Sequence, residues 1–575
     1  LDENAVGLAA PGAGKNRSVA RGRSPGADVA AASLAPANPT HLRSFHGLDH
    51  FAQRTANGGN QFSTEPPDQG LCAGGGFVLE TVNSVLRVFD ATGAPLTGVV
   101  DLNSFYGYAA AFDRAAVTFG PDVFDPGCYF DPDTKRWFHL ASTLERVNPT
   151  TTALSGASHI DLAVSRTSDP RGPFVVYRIP AENDGTNGTP DHHCTLDGVN
   201  PGPCFPDYPH IGADRNGIYI TTNEFDFFGP GFHGAEIYAI SKSALVAGGA
   251  IDVVLLDTAD PSFGIAFDGI VGFPGFTVWP AESPDGLGEA DRQFLLSSQA
   301  VFNDSGVDDR LRLWSVTGTS TLGTATPSLG LSAQTMNVNA YGVPPPSEQK
   351  AGSTPLADCL NDNTFPIAQG VKGCWHFATG TRPTRHEVEG PIDSNDSRMQ
   401  QVFLAGGKLF GALDTAVGVK SAQHAGIAWF VIDPHAATVA KQGVLALDGV
   451  DLNYPALAVT GSGRGVVAFT AVGPGTFPSA GYAALDATLG AGDVHIAAAG
   501  RGPQDGFSEY HAFPPFRPRW GDYGAAAVDG DTIWVASEYI GQTCTFAQFL
   551  TSGFTCGNTR TILANWGTRV SAIRP

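Results

Sequence analysis

Short hydrophobic runs alternate with polar turns along most of the chain, and one such pattern occurs twice in nearly the same form. The two copies lie at residues 207–224 and 522–538. Each begins with Asp, Tyr and a turn residue, continues with small apolar residues and a turn rich in Asp and Gly, and ends in a β-branched and aromatic run that closes with Glu. A unit that recurs at long intervals is typical of a repeat architecture.

Five fainter copies of the same pattern bring the number to seven. Three of the seven share a spacing of five residues between the Pro of the first run and the Asp of the turn. The intervals between copies are uneven, which is typical of repeats that carry loop insertions of different lengths. The fainter copies lie at residues 68–80, 124–138, 278–285, 396–410 and 453–463.

Each copy predicts a small antiparallel sheet. The small apolar run suits a strand buried on both faces, the aromatic run is typical of a second strand, and the Asp and Gly residues between them suit a tight hairpin. A third alternating strand follows in several copies, at residues 160–165, 236–240, 311–316 and 426–431. Units of three or four short strands cannot bury both faces alone, so neighbouring units must stack.

Radial stacking of these units predicts an all-β fold, a β-propeller with seven blades, with six or eight blades as alternatives. No stretch shows a sustained period of 3.6 residues, so few helices are expected. We assign residues 41–575 to a single propeller domain with insertions at about 172–206, 320–397 and 539–558. Residues 1–40 are rich in Ala, Gly, Pro, Arg and Ser without periodicity, which predicts a disordered or extended arm.

The chain has eight cysteines, and an even number favours disulfides and an oxidising compartment. Local spacing favours three pairs that each close one insertion, which leaves Cys72 and Cys128 in similar registers of two adjacent repeats. The alternative is a set of buried free thiols in a cytosolic protein. A structural zinc site is not indicated, since no Cys-x-x-Cys occurs. The three local pairs are Cys194–Cys204, Cys359–Cys374 and Cys544–Cys556.

The net charge of -22 at pH 7 argues against nucleic acid and anionic membrane surfaces as main partners, because both attract cationic proteins. No apolar run approaches the roughly 20 residues that a membrane-spanning helix needs. The chain also begins without the apolar region of a signal peptide. We therefore expect a monomer that is extracellular or periplasmic in its mature, secreted form.

The repeat places acidic residues at equivalent positions of distant copies. In a propeller the innermost strand of each blade lines a central channel, and the loops before this strand and after the second strand open on the same face. Asp207 and Asp522 precede the innermost strand, and Glu224 and Glu538 end the second strand. We predict that these four acids gather at the channel mouth as catalytic residues. The alternative is that such acids cap turns by accepting bonds from backbone N–H groups.

Several like charges around one opening are unfavourable unless a cation joins them or some of the acids are protonated. Calcium, which binds six to eight oxygen ligands, is one resolution, and no organic cofactor is implied. The other resolution is a pair of carboxyl groups of which one is protonated and one ionised, as in glycoside hydrolysis. The predicted metal ligands are Asp68, Asn453, Asp393 and Asp396.

Basic side chains expected near the same face are predicted to bind the substrate. Histidines in turns are more often simple hydrogen-bonding residues, so a structural role is the alternative for each histidine. The predicted substrate-binding residues are His210, Arg398, His424, His511 and Arg519.

Two Asp-rich turns, at residues 131–137 and 214–217, are expected on the face opposite to the channel mouth. They resemble the Asp-box turns of the sialidase-like propellers, although the full Ser-x-Asp-x-Gly-x-x-Trp pattern is not intact. The resemblance implies that these turns are elements of the fold. Sialidases bind the carboxylate of their sugar with three arginines, and the resemblance implies Arg398, Arg517 and Arg519 as candidates for this role. Nothing in the spacing of these three arginines requires it.

Two functions are therefore expected from the sequence. The first is a secreted hydrolase or lyase, of the glycoside hydrolase or polysaccharide lyase type, which acts on a small carbohydrate-like molecule or a polysaccharide. The second is a non-catalytic extracellular binding or surface protein whose propeller face holds calcium or another ligand. A redox propeller is disfavoured because no ladder of histidines accompanies the blades.

Overall fold

The chain forms seven antiparallel sheets arranged around a central channel, in a computed structural model that describes residues 27–28, 38–62, 64, 66–374, 390–419, 422–506 and 519–575. Each sheet has four or five strands. The innermost strands of neighbouring sheets contact one another in sequence around the ring, and Glu282 forms an isolated bridge to Phe403 where blade 4 meets blade 5. The fold is a seven-bladed β-propeller, which confirms the prediction from seven copies.

The strands of each blade follow one another in the chain from the channel outwards, except for one strand of blade 7. Blade 1 contains Gly70–Gly74, Phe77–Val82, Val85–Asp90 and Val100–Asp101, and blade 2 contains Asp122–Asp131, Arg136–Arg146, Leu154–Ser165 and Phe174–Pro180. Blade 3 contains Cys204–Ala213, Gly217–Asp226, Phe232–Ser241 and Val253–Asp257, and blade 4 contains Trp279–Pro280, Arg292–Ser298, Val307–Thr317 and Gly330–Gly342. Blade 5 contains Phe403–Ala405, Lys408–Val419, Ala422–Asp433 and Thr438–Leu445, and blade 6 contains Asp451–Val459, Arg464–Gly473, Thr476–Asp486, Gly490–Ala491 and His495–Ala498. Blade 7 contains Ala525–Asp529, Thr532–Tyr539, Gly567–Arg574 and Thr40–Asp49.

Each of the seven sequence copies lies at the innermost hairpin of one blade, and the predicted third strands are third strands in the structure. The α-helices in the described residues are short, as the missing 3.6-residue period predicted. They are His50–Thr55, Leu102–Tyr106, Lys242–Ala247, Pro355–Asn361 and Phe546–Thr551.

The ring is closed by a strand from early in the chain, a feature that the repeat pattern did not predict. Thr40–Asp49 pairs antiparallel with Gly567–Arg574 and forms the outer edge of blade 7. Blade 7 is therefore held together by residues more than 500 positions apart, for example Thr40 and Arg574. Most of the predicted N-terminal arm lies outside the described residues, and within it Ala27–Asp28 pairs in parallel with blade 5.

Small residues let the innermost strands approach one another at the channel. At Gly212 an added Cβ would lie 2.7 Å from the backbone oxygen of Ala281 in blade 4. At Gly70 it would lie 3.1 Å from the backbone oxygen of Pro126 in blade 2. Since a backbone oxygen cannot move away as a flexible side chain can, larger residues at these two positions would force neighbouring blades apart.

Two of the three long connections are shorter than the predicted insertions, and the third is longer. The first two run through residues 181–203 and 343–402, because the outermost strands Phe174–Pro180 and Gly330–Gly342 reach into the predicted ranges, and the third runs through residues 540–566. Both of these strands carry polar, exposed positions, so their sequence is similar to that of a loop.

All four disulfides occur in the predicted pairing. Three of them close the long connections, and the fourth joins Cys72 of blade 1 to Cys128 of blade 2. In the described residues, moreover, no helix has the length and apolar character that crossing a membrane requires.

The closing strand generates a prediction about stability. Phe45 packs on Phe89 of blade 1 and on Trp534 of blade 7, with ring centroids 4.9 Å and 6.4 Å apart. Phe45→Ala should lower the free energy of unfolding by about 2 kcal/mol, because it removes a partly buried aromatic ring between the first and last blades. Chemical denaturation measures the change.

Thr40→Ala is the matched control, since Thr40 is exposed on the same strand. Its effect should stay within about 0.5 kcal/mol. Equal stability of the wild type and Phe45→Ala would show that the contact between these blades does not contribute to closure.

Candidate functional site

Each blade has a residue in the left-handed backbone region either within or shortly before its innermost strand, with φ between 27° and 62°. Six of these seven residues are not glycine. An extra residue is inserted there relative to the second strand, as the register shifts between Asp207 and His210 and between Asn453 and Ala456 show. The seven residues are Asp68, Asp125, Tyr208, Thr277, Asn395, Tyr454 and Gly521.

Polar side chains take up the backbone N–H groups that these bulges remove from the strand ladder. In five cases the acceptor belongs to the adjacent blade, so the bonds connect one blade to the next. They run from Asp522 N–H to Asp68 (2.8 Å), from Asp125 N–H to Asn83 (2.8 Å), from Tyr208 N–H to Asp125 (3.3 Å), from Thr277 N–H to Asn223 (2.7 Å) and from Tyr454 N–H to Asp414 (2.8 Å). Asp68, Asp125 and Asp414 thus accept backbone N–H groups at the channel mouth, which is the structural role that we gave as the alternative for such acids.

Four aspartates from blades 1, 2, 3 and 7 form what we call the acidic group: Asp68, Asp125, Asp207 and Asp522. All four are more than nine-tenths buried. The charges of the other three all act on Asp125, so the group lies around one point although its members are far apart in the chain. Arg519 donates to both carboxylate oxygens of Asp522, at 2.6 and 2.5 Å.

Burial of like charges raises the pKa values in the acidic group. The pKa of Asp68 rises to about 8, first because of burial and second because of the charge of Asp522. Burial and the three neighbouring aspartates also raise the pKa of Asp125 well above its ordinary value. Burial raises the pKa of Asp522 too, but Arg519 and Arg398 oppose that rise. Asp522 is therefore the member best held as an anion, and Asp68 and Asp125 are the members best held as acids.

A second set of polar side chains lies on the blade 5 and blade 6 side of the channel mouth. Arg398 donates to both carboxylate oxygens of Asp396, at 2.9 and 2.7 Å, and its guanidinium lies 4.7 Å from the ring centroid of Tyr208. Burial raises the pKa of Asp414 well above its ordinary value, and Asp396 and Asp393 raise it further. Among the described residues, Oδ2 of Asp414, Oδ1 of Asn453 and the hydroxyl of Tyr454 are buried without a hydrogen-bond partner.

The two glutamates predicted as catalytic residues point in different directions. Glu538 accepts the backbone N–H of Gly521 at 2.7 Å, beside Asp522. In blade 3, Asn223 pairs with Asp207 and thus holds the position equivalent to Glu538. Glu224 is one residue further along, so its side chain lies on the other face of the strand, where Thr222 donates to it. The structure therefore does not bring Glu224 to the acidic group.

The predicted substrate-binding residues are distributed over the mouth and the channel. His210 stacks on Trp279 with ring centroids 3.4 Å apart, and burial lowers its pKa well below the ordinary value. His424 lies between blades 5 and 6, where its Nδ1 is 3.3 Å from Asp451. Arg398 and Arg519 occupy the two sides of the mouth described above. His511 lies outside the described residues, as does Arg517.

Below the mouth, the channel contains a cavity of about 40 Å³ whose lining includes His210, Trp279 and Glu282. Gln401 donates to Glu282 at 3.2 Å. Burial raises the pKa of Glu282 to about 8, and the bond from Gln401 only partly offsets this rise. The channel thus carries a carboxyl group that is largely protonated at neutral pH and is separate from the acidic group.

The four predicted metal ligands do not lie together in the structure. Asp68 belongs to the acidic group, whereas Asn453, Asp393 and Asp396 lie on the blade 5 and blade 6 side. In the part of the chain that the structure describes, the His, Cys, Asp and Glu side chains that converge as a group of three or more are Cys194, Asp226 and His233. Because Cys194 is bonded to Cys204 in a disulfide, this group has no thiolate for a metal.

Several residues of the site were not singled out from the sequence. Tyr208, Tyr454 and Tyr523 follow the polar residue of the repeat in three copies, and this recurrence was the signal that could have found them. The hydroxyl of Tyr208 donates to the backbone oxygen of Asp522 at 2.6 Å and links blade 3 to blade 7. Asp414 stands among small residues in a second strand, and no motif marks it.

Neither a protein-family model nor a curated protein matches the sequence. Solved structures that are similar include a GH43 β-1,3-galactosidase with galactodeoxynojirimycin, at 9% identity and a TM-score of 0.29, covering 72% of this chain and 99% of that one. The cobalt-substituted apocarotenoid oxygenase of Synechocystis is similar at 12% identity and a TM-score of 0.33, covering 83% and 77%. A protein of unknown function from Dyadobacter fermentans is similar at 10% identity and a TM-score of 0.27, covering 79% and 95%. Similarities at this level carry no argument about the site or the activity of this chain.

The raised pKa of Glu282 predicts how stability depends on pH. Between its ordinary pKa of 4.5 and the folded value of about 8, the folded protein retains a proton that the unfolded chain has lost. The free energy of unfolding should therefore fall as the pH rises from about 4.5 to about 8. Glu282→Gln should remove the part of this decrease that Glu282 causes, so the variant should be more stable than the wild type at pH 8. Urea denaturation at pH 5 and pH 8 measures the free energy of unfolding of both proteins.

Glu348→Gln is the control, because Glu348 is exposed. Its pH dependence should match that of the wild type. The same match for Glu282→Gln would mean that Glu282 is ionised in the folded protein at neutral pH.

Proposed function

We propose that the protein is a hydrolase or lyase that cleaves a carbohydrate-like substrate by carboxylate acid–base chemistry at the channel mouth. The observation that supports this proposal most is the acidic group: four buried aspartates from four blades interact around one point, and Arg519 is paired with one of them. Structural stability alone does not call for so many carboxyl groups in one buried place, since buried like charges raise the free energy of the fold.

The proposed roles follow from the charges around each acid. Asp522, held as an anion by Arg519, is the base or nucleophile. Asp125, whose pKa is raised by burial and by its three neighbours, is the proton donor to the leaving oxygen. Cleavage of a glycosidic bond requires this combination of one protonated and one ionised carboxyl group.

The other members of the site position these two. Asp68 accepts the backbone N–H of Asp522, and Glu538 accepts that of Gly521, so both fix the chain on either side of the anion. Asp207 lies beside Asp125 and adds to the charge that keeps it protonated. Arg398 and His210 are proposed to contact the substrate, since both pack against Tyr208 at the same face.

We place the protein outside the cytoplasm, in the extracellular space or the periplasm. Four disulfides with no free cysteine are typical of oxidising compartments, where such bonds persist. A carbohydrate polymer or a small glycoside in the same compartment is the proposed substrate.

A second function, a non-catalytic binding or surface protein, is favoured by a different observation. Asp68, Asp125 and Glu538 all accept backbone N–H groups and are deeply buried. In that case the acids hold the propeller together, and its face binds calcium or a glycan without cleaving it.

Variants that replace an aspartate with the isosteric asparagine distinguish the catalytic function from the binding function. With the wild type active on a panel of glycosides and polysaccharides, Asp522→Asn and Asp125→Asn should each lower kcat/KM by about 100-fold or more, because a carboxyl group that transfers a proton contributes on that order. Thermal unfolding and near-ultraviolet circular dichroism of the same variants measure whether the fold is retained.

Asp309→Asn is the matched control, since its side chain is 70% exposed and it belongs to the third strand of blade 4 instead of an innermost strand. It should keep full activity. Binding of a glycan without turnover by the wild type would favour the binding protein. Full activity of both aspartate variants would overturn the catalytic roles proposed for Asp522 and Asp125.

A further inference from the structure

A cavity of about 230 Å³ lies between blades 6 and 7, on the face opposite to the channel mouth. The innermost strands Asp451–Val459 and Ala525–Asp529 run away from the mouth, so the hairpin turns that follow them lie at the other end of the molecule. Both turns contribute to the lining, together with the end of the third strand of blade 7. The lining residues are Thr460, Ser462, Arg464, Asp531, Arg574 and Pro575.

Two arginines from adjacent blades, Arg464 and Arg574, line this cavity without partners of their own. Both side chains are exposed, and among the described residues neither guanidinium donates a hydrogen bond, pairs with a carboxylate or lies over an aromatic ring. Arg215, in the equivalent turn of blade 3, is also exposed and unpartnered within the part of the chain that the structure describes, but it does not line the cavity. The specific feature is therefore that two free guanidiniums line one cavity.

These two positive charges are fixed, in a chain whose net charge is -22. Arginine stays protonated in proteins, so the charge of the cavity does not depend on a shifted pKa. Asp531 is the acidic side chain of the lining, and its carboxylate forms no ion pair with Arg464 or Arg574. Asp486 lies opposite Arg464 in the strand ladder, but its Oδ1 accepts two backbone N–H groups of its own turn. Neither arginine is thus neutralised by a carboxylate in the described ranges.

The turn that carries Arg464 is held by its own hydrogen bonds. The backbone oxygen of Arg464 accepts the N–H of Thr460 at 2.9 Å and the hydroxyl of Thr460 at 2.8 Å. Since the proton of that hydroxyl is used, the hydroxyl of Ser462 donates to it, at 2.9 Å. Both hydroxyls are therefore engaged within the turn. The N–H groups of the two arginines are the donors that remain for a ligand.

We propose that this cavity binds a small molecule through a phosphate or sulfate group held between Arg464 and Arg574. A guanidinium presents parallel N–H donors that match two oxygens of an oxyanion, and guanidiniums from two blades can contact different oxygens of one tetrahedral group. A planar carboxylate, with two oxygens and a single charge, engages two such groups less well. With about 30 Å³ per water molecule as the scale, the cavity also has space for the organic part of an ester.

A ligand in this cavity would connect blades 6 and 7 beside the closing strand. Arg464 begins the second strand of blade 6, and Arg574 is paired with Thr40 of the closing strand in blade 7. A ligand that binds the folded protein alone stabilises it by mass action, so occupancy of the cavity should favour the closed ring. The site lies at the opposite end of the innermost strands from the acidic group and is independent of the reaction proposed there.

Calorimetric titration of the intact protein with inorganic phosphate and with sulfate tests the proposal. The wild type should bind at least one of these anions with one equivalent per chain, and its melting temperature should rise with the concentration of that anion. Arg464→Gln and Arg574→Gln should each weaken binding at least tenfold, because a hydrogen bond to a charged group contributes on that order. Asp531→Asn should instead tighten binding, since it removes a negative charge from the lining.

Arg215→Gln is the matched control, because it removes an exposed arginine from the equivalent turn of blade 3 and leaves the cavity intact. It should bind the anion as the wild type does. Phosphate and sulfate also stabilise folded proteins without a binding site. The decisive thermal quantity is therefore the rise in melting temperature of the wild type beyond that of Arg464→Gln in the same buffer.

The anion that binds more tightly identifies the ester as a phosphate or a sulfate. Absence of binding for both anions, or equal affinity of the wild type and the two arginine variants, would overturn the proposal. Acetate bound as tightly as either anion would overturn the tetrahedral class of ligand in favour of a carboxylate. Should the arginine variants fail to fold, Asp531→Asn decides, because unchanged or weaker binding in this variant contradicts the proposed site.

Discussion

The propeller depends on how the backbone N–H groups at the starts of its innermost strands are satisfied. A left-handed residue lies within or shortly before each of these strands, and in several blades the bulge withdraws an N–H group from the ladder in a buried place. Buried donors without acceptors are costly, so side chains of adjacent blades must supply the oxygen. Aspartate and asparagine are short enough to do this across the gap between blades. The result is a ring of polar bonds that fixes each blade against its neighbour.

This constraint explains why short polar side chains recur at the channel mouth, but not why so many of them are acids, since Asn83 and Asn223 accept such N–H groups without a charge. An aspartate that accepts one backbone N–H still has a second oxygen. In Asp68, Oδ1 accepts the backbone N–H of Asp522 and Oδ2 accepts the side-chain amide of Asn83. The same group can therefore hold the fold and remain available for protonation. Arg519 and Arg398 oppose the rise that burial causes in the pKa of Asp522, whereas the pKa of Asp414 rises well above its ordinary value. This difference in pKa between neighbouring carboxyl groups is what allows one of them to donate a proton while the other stays ionised.

The local features of the sequence predicted the local features of the fold. Hairpins, strand order and three of the four disulfide pairs follow from residues close in the chain, because turn residues and loop spacing act over short distances. The fourth pair, Cys72–Cys128, followed from the similar positions of the two cysteines in adjacent repeats. The closing strand Thr40–Asp49 was not predicted, since it is a single outer strand without the turn formula. Glu224 was taken as equivalent to Glu538 although it lies 17 residues after Asp207 and Glu538 lies 16 residues after Asp522, and a difference of one residue reverses the face of a strand. His511 lies outside the described residues, so its predicted role stays a prediction.

The closing strand also constrains the order in which the molecule can be made. Three strands of blade 7 come from residues 525–574, and the fourth comes from residues 40–49. A ribosome must therefore synthesise the chain through residue 574 before the ring can shut, and until then the early segment lacks its strand partner in blade 7. A nascent chain of this kind keeps an unpaired strand until a late stage of synthesis, and unpaired strand edges make a folding chain prone to misassembly.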